Sequence, residues 1–337
     1  MTHTPFSFGA ASTDAVCSRR DCLKAMAAGL LGAAAAEAPA LASAAESQRP
    51  TAMERVNLGV DARLYVTLPL EEAVRRIRAD GFGCVLGHFS FADVRFDLGT
   101  PDWEAAKKIT ACFERHGVRI AALFGYYNVV DPDAARRRRG EERMEFLIAN
   151  WKRLGCPVIS TETGTFHLTS EWLDAPENAT EEGYRQCRTA FEKLARAAEK
   201  TGATISIEAY WRNIISSIER AERLFREVTS PALKLVMDPC NYFRKEDLPQ
   251  MQPMLKDMFR RLGDRIVVAH AKDVKAAPSG TDLPAAGQGV LDYPLYLRLL
   301  AQLNRPIDLI LEHLSLPEVP RTRDFVLAQW DKSVKGP

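Results

Sequence analysis

The chain has 337 residues, is 46% hydrophobic and 26% charged, and carries 45 basic against 44 acidic residues. This is the composition of a folded globular chain of one or two domains, and it excludes a disordered or fibrous one. The net charge of +1 provides no basis for a nucleic-acid-binding surface.

The first 44 residues read differently from the rest. Ser18-Arg19-Arg20-Asp21-Cys22-Leu23-Lys24 precedes a weakly apolar, alanine-rich stretch from Ala25 to Ala36, and Ala42-Ser43-Ala44 fits an A-x-A cleavage site. This order resembles a twin-arginine export signal, with a disordered or amphipathic N-terminus as the alternative. The resemblance implies passage through the twin-arginine translocase, removal of residues 1–44 and a periplasmic or secreted product. The apolar stretch falls short of the about 20 residues that span a bilayer, so no stable membrane anchor is expected. Cys84, Cys112, Cys156, Cys187 and Cys240 remain beyond it, with no C-x-x-C pair among them. They read as buried thiols rather than a disulfide framework or a zinc site.

From Arg55 strands and helices alternate. Val56–Asp61 reads as a first strand, followed by an amphipathic helix from about Pro69 to Ala79. Gly81–His88 is the second strand; its helix starts at Thr100-Pro101-Asp102, an N-cap with proline at the first helical position. Gly117–Gly125 and a charged helix from Asp133 to Arg153 come next, then Gly155–Glu162 and a helix from Thr180 to Lys200. The fifth strand, Ala203–Glu208, leads to a capping box at Ser216-x-x-Glu219. The sixth, Leu233–Asp238, precedes a helix from Pro253 to Leu262. The seventh runs from Arg265 to Asp273, with a helix from Asp292 to Leu303, and the eighth, Ile307–Glu312, precedes a last helix from Val319 to Asp331. Eight strand–helix pairs predict an α/β chain folded as a single (β/α)8 TIM barrel over residues 52–337, near the usual size of about 250 residues.

Four of these apolar runs end on chemistry. Glu208, Asp238, His270 and Glu312 terminate strands five to eight. In a closed barrel every strand C-terminus opens onto one face, so these side chains converge although far apart in sequence. Three carboxylates and one imidazole suit a hard divalent ion, Mn2+ first, with Mg2+ or Co2+ as alternatives. Each acid taken alone is equally well a helix cap or an ion-pair partner; four on consecutive strands point to a metal.

Ile207-Glu208, Met237-Asp238-Pro239-Cys240-Asn241, His270-Ala271-Lys272-Asp273, Gly287-Gln288-Gly289-Val290-Leu291-Asp292-Tyr293 and Leu311-Glu312-His313, in this order, resemble the sugar phosphate isomerase/epimerase group of xylose-isomerase-like TIM barrels. The resemblance runs from about residue 55 to the end. It implies that Glu208, Asp238, His270 and Glu312 bind one divalent ion, and that Glu208 and Glu312 also move protons. A Lewis acid on a sugar carbonyl and adjacent hydroxyl stabilises an enediolate, and a placed carboxylate then removes the α-proton. Protonation of the opposite face gives epimerisation, transfer to the neighbouring carbon gives isomerisation, and a β leaving group gives elimination.

Two positions depart from the ketose 3-epimerase members. Asn241 stands where they have a substrate-binding histidine, and Ala276 where they have an arginine. Lys272 is a candidate to take over that anchoring, with an ion pair to Asp273 or Asp238 as its alternative role. Further candidates for substrate contact are His88, Tyr126 with Tyr127 and Asn128, Glu162 and Trp211, each with a packing role as the alternative. The run Arg136–Arg139 reads as a solvated helix face balanced by Glu141 and Glu142 rather than an anion clamp.

The leading expectation is a divalent-metal-dependent isomerase or epimerase with a small carbohydrate substrate. A metal-dependent lyase or hydrolase acting on 3-keto-glycosides by β-elimination is the rival, favoured by the export signal. A non-catalytic sugar-binding protein is the third reading. The related abasic-site endonucleases need more metal-binding histidines than His88, His116, His167, His270 and His313 supply. A homo-oligomer is compatible with the sequence.

Overall fold

The computed structural model describes residues 56–335. The twin-arginine leader and its cleavage site at Ala44 lie outside the described residues. Eight parallel strands close into a barrel in sequence order. They are β1 (Val56–Asp61), β2 (Cys84–Gly87), β3 (Arg119–Phe124), β4 (Val158–Glu162), β5 (Thr204–Glu208), β6 (Leu233–Met237), β7 (Ile266–Ala271) and β8 (Ile307–Leu311). Closure is made by β8 against β1, in register from Val56↔Ile307 to Val60↔Leu311. The helices α1 (Leu70–Ala79), α2 (Trp103–Arg115), α3 (Ala134–Leu154), α4 (Glu181–Thr201), α5 (Ile218–Glu227), α6 (Met251–Leu262), α7 (Tyr293–Ala301) and α8 (Val319–Lys335) follow the strands in turn. The expected (β/α)8 barrel is therefore the fold. Among the described residues no helix is long and apolar enough to cross a membrane.

Local chemistry accounts for the helix boundaries, with three corrections. Helix α2 is capped by Asp102, whose carboxylate accepts from the Glu104 and Ala105 N–H groups, so Thr100 and Pro101 precede the helix. Helix α5 is capped by Ser217 through the Arg220 N–H, one residue later than the expected Ser216. Helix α6 begins at Met251 after a 3-10 turn over Lys245–Gln250, which leaves Pro253 in the first turn, where no N–H is required. At the other ends, Gly155 and Gly202, both at φ 77°, close α3 and α4 in the left-handed conformation that a side chain resists. Two short hairpins were not foreseen: Ser90–Phe91 with Val94–Arg95 after β2, and Lys275–Ala277 with Gly280–Asp282 after β7.

Side chains alternate across each strand, so residues two apart share a face. Cys84, Leu86, Ala122, Val236, Val268 and Ile310 form a small buried cluster separate from the main core. Ser160 and Ser206 join across β4 and β5 by a 2.8 Å hydroxyl bond, both fully buried. Stepping two residues along from Ser206, Val236, Val268 and Ile310 reaches Glu208, Asp238, His270 and Glu312. The packed barrel interior is thus the floor on which the four polar side chains stand.

Candidate metal centre

Glu208, Asp238, His270 and Glu312 each present a donor atom, and the four atoms lie within 4.8 Å of one another. His270 Nδ1 is 3.4 Å from Glu208 Oε1, 3.6 Å from Asp238 Oδ2 and 3.2 Å from Glu312 Oε2. Glu208, Asp238 and His270 are buried, and Glu312 is half-buried. Both ring nitrogens of the buried His270 lack a hydrogen-bond partner. A buried imidazole normally satisfies at least one of them. Carboxylates spaced 3.2–3.6 Å around one imidazole nitrogen have the separation of ligands about a common ion. The donor set fits a divalent cation with positions open to oxygen ligands.

Lys272 enters the same cluster. Its Nζ lies 2.7 Å from Asp238 Oδ2 and 3.8 Å from both Glu208 Oε1 and Glu312 Oε2. Burial works against its charge, but Asp238, Glu208 and Glu312 outweigh that and hold its pKa above the ordinary lysine value. Burial likewise opposes ionisation of Glu208, and His270 and Lys272 override it, keeping the carboxyl below its usual range. Of the two aspartates offered to Lys272 as ion-pair partners, Asp238 is the one it meets. Asp273 instead accepts the N–H groups of Val274, Gly287 and Leu291, tying the β7–α7 loop together.

The two glutamates differ in their surroundings. Glu208 is clamped: the Tyr126 hydroxyl donates to Oε2 at 2.5 Å and Asn241 Nδ2 donates to Oε1 at 2.7 Å. Asn241 therefore orients Glu208. Glu312 has its close contacts with His270 and Lys272, both ionic. Ala276, in the other departing position, is exposed on the hairpin after β7.

The remaining candidates are distributed around this centre. His88 is half-buried just beyond β2, and burial lowers its pKa, partly offset by Asp61. Glu162 pairs in register with Glu208 and is 3% exposed, with Oε2 lacking a partner. Burial, then Glu171 and Glu208, push its carboxyl well above the usual range. Trp211 donates through Nε1 to Thr281 Oγ1 at 3.3 Å, and its ring carries the guanidiniums of Arg212 at 4.5 Å and Arg244 at 5.3 Å. Its neighbours are thus loop and hairpin residues. Tyr127 and Asn128 are buried; Asn128 donates to the Thr165 carbonyl. Arg136 pairs with Asp131 at 2.8 Å and Arg138 with Glu142 at 2.8 Å, as a solvated helix face requires.

Sequence reasoning missed three residues here. Asp61 ends β1 as Glu208 ends β5, the same strand-end-acid signal, and it pairs with Arg63 at 2.5 Å. Arg63 lies 4.7 Å over the Phe124 ring; burial opposes its charge, and Asp61 first, then Glu312, outweigh burial and raise its pKa. Arg143 of α3 reaches the Tyr126 carbonyl with Nη2 and holds the chain that carries the Tyr126 hydroxyl. No local pattern distinguishes Arg143 from the other arginines of α3.

A closed parallel barrel carrying acids and an imidazole at the carboxyl ends of successive strands defines the class of this protein. Residues 73–326 match the family described as xylose isomerase-like TIM barrel, and the chain belongs to that family. No curated protein sequence matches it. Among solved structures it is similar to a D-tagatose 3-epimerase-like protein at 14% identity and TM-score 0.64, covering 83% of this chain and 98% of that one. A xylose isomerase-like TIM barrel protein from Mycobacterium smegmatis in complex with magnesium aligns at 14% identity and TM-score 0.60, over 85% of this chain and all of that one (100%). A 3-keto-D-glucoside 4-epimerase from E. coli aligns at 16% and TM-score 0.57, over 81% and 99%. Identities this low carry the fold alone.

Proposed function

We propose that this protein is a divalent-metal-dependent enzyme that isomerises or epimerises a small carbohydrate by moving a proton next to a carbonyl. The observation that carries the reading is His270, buried with neither ring nitrogen hydrogen-bonded and three carboxylates around Nδ1. Glu208, Asp238, His270 and Glu312 would hold the ion, with Mn2+ the best match to the donor set and Mg2+ or Co2+ alternatives. When bound, such an ion would supply Lewis-acid stabilisation of negative charge developing on the substrate carbonyl oxygen.

The side chains divide the remaining work. With both oxygens of Glu208 holding hydrogen bonds, its carboxylate is oriented and less basic. Glu312, without such donors, is the better base toward a substrate α-proton. Inversion then needs a second, solvent-derived proton carried by Glu208 to the opposite face while Glu312 keeps the first; return of the first proton by Glu312 to the adjacent carbon isomerises. Lys272, His88 and Glu162 supply donors and acceptors for sugar hydroxyls.

A rival outcome on the same residues is β-elimination from a 3-keto-glycoside, in which the C2–H and C1–O bonds break, C1=C2 forms and the aglycone leaves protonated. Similarity to the 3-keto-D-glucoside 4-epimerase favours testing it. So does the proposed export by the twin-arginine route, since glycosides are common outside the cytoplasm and phosphorylated sugars scarce. Replacing Arg19 and Arg20 by lysine should abolish that export.

The deciding experiment uses Mn2+-loaded protein in D2O with free sugars, sugar phosphates and 3-keto-glycosides, read by NMR. Deuterium incorporation with a new sugar supports isomerisation or epimerisation; aglycone release supports elimination. Glu312→Gln should keep its metal, because an amide oxygen still coordinates, while proton exchange falls by at least about 10²-fold. Normal exchange in that variant would refute the base role.

A further inference from the structure

Away from the strand ends, the helical layer assembles a second set of metal-ligating side chains. Cys112 and His116 are four residues apart on and just beyond α2, hence on one face. Glu71, from the first turn of α1, meets them: His116 Nε2 lies 2.6 Å from its Oε1 and Cys112 Sγ 3.4 Å from its Oε2. The three donor atoms fall within 4.8 Å of one another. Cys112 is 1% exposed, His116 half-buried and the Glu71 side chain 52% exposed, so the cluster has a buried floor and an open side.

We propose that Glu71, Cys112 and His116 form a zinc-binding clip joining α1 to α2. One thiolate, one imidazole and one carboxylate with a fourth position open to water is a ligand set that zinc accepts in tetrahedral geometry. A thiolate also selects zinc over the hard ions suited to the strand-end carboxylates. Tetrahedral bonds of about 2.0–2.3 Å place ligand atoms about 3.3–3.8 Å apart. Cys112 and His116 both already touch the Glu71 carboxylate, Cys112 at Oε2 and His116 at Oε1, and His116 has to open from its 2.6 Å contact. Arg115 Nη2, 2.5 Å from Glu71 Oε2, does not compete. Coordination through Oε1 leaves that oxygen to the guanidinium, which then orients the carboxylate as outer-shell partners commonly do. Burial, then the Glu71 carboxylate, push the Cys112 thiol up to about 11. Zinc must displace that proton, so binding releases it and tightens as pH rises.

The full-length protein titrated with Co2+ tests this, because the strand-end cluster holds no sulfur ligand. A near-ultraviolet sulfur-to-cobalt charge-transfer band is expected, lost in Cys112→Ser and His116→Ala and retained in Asp238→Asn. Competition with a zinc chelator should show affinity weakened by at least about 10²-fold in Cys112→Ser, beyond the loss usual for an outer-shell contact. Should either variant fail to fold, Glu71→Gln, on an exposed side chain, is expected to weaken zinc binding by at least about 10-fold. Absence of the band at saturating Co2+, its survival in Cys112→Ser, or unchanged zinc affinity in Glu71→Gln overturns the proposal and leaves a hydrogen-bonded contact between two helices.

Discussion

The Tyr126 hydroxyl donates to Glu208 Oε2 across 2.5 Å, linking the loop after β3 to the end of β5. With Asn241 on the other oxygen, this bond fixes the carboxylate plane before any substrate arrives. Tyr126→Phe should therefore lower metal affinity or substrate-proton exchange by about 10- to 100-fold, as loss of an outer-shell partner does. Calorimetric metal titration and D2O exchange would read it. A variant equal to wild type in both would reduce Tyr126 to packing.

Asp238 is fully buried and lies 2.7 Å from Lys272 Nζ. Asp238→Asn should remove activity and metal binding together. It also weakens the pairing of a buried ammonium, so the metal-free protein should lose about 3–5 kcal/mol in denaturant unfolding. Adding Lys272→Met should recover part of that loss, because the two residues act as one unit. Strict additivity of the two changes would contradict the coupling.

Ile310 is fully buried in the barrel interior, two residues below Glu312 on the same face. Ile310→Ala should cost about 2–5 kcal/mol through lost burial and the cavity left behind. Metal affinity should fall as well, since the floor under the ligand layer loosens. Unfolding curves and metal titration on one sample would separate the two effects.

Glu227 accepts from Arg223, Arg188 and Tyr184 at 2.7, 3.0 and 3.1 Å. The Arg223 bond first, then Arg188 and Tyr184, outweigh burial and lower its carboxyl from 4.5 to about 2. A depressed pKa adds stability that is fully present above 4.5 and disappears as pH falls toward 2. The stability gap between wild type and Glu227→Gln should therefore narrow steadily as pH falls from about 5 to about 2. A gap that does not change over this range would show that the charge is not what stabilises the site.

Much of this protein was legible in one dimension, because two periodicities are enough to specify a (β/α)8 chain. Short apolar runs with acids at their ends read as buried strands, and longer amphipathic stretches as the helices covering them. Once a barrel is assumed, the strand-end positions of Glu208, Asp238, His270 and Glu312 imply one face. Parallel pairing of β5 through β8 in turn brings the donor atoms of four side chains, spread from residue 208 to residue 312, to within 4.8 Å.

The tertiary structure alone decided everything that depends on direction and reach. Asn241 reads as a departure from a familiar pattern; only packing shows it holding Glu208. Trp211 reads equally as a sugar platform or as loop packing, and only the fold shows the unforeseen hairpin beside it. Ser216 and Ser217 are equivalent on paper, and the angle at which the chain enters α5 chooses the second. Glu71, Cys112 and His116 show no motif, because their proximity comes from two helices laid side by side by the strands between them. A strand's period is a local property of the backbone and survives in sequence; a contact across elements depends on how tilted strands and long side chains pack, which no local pattern encodes.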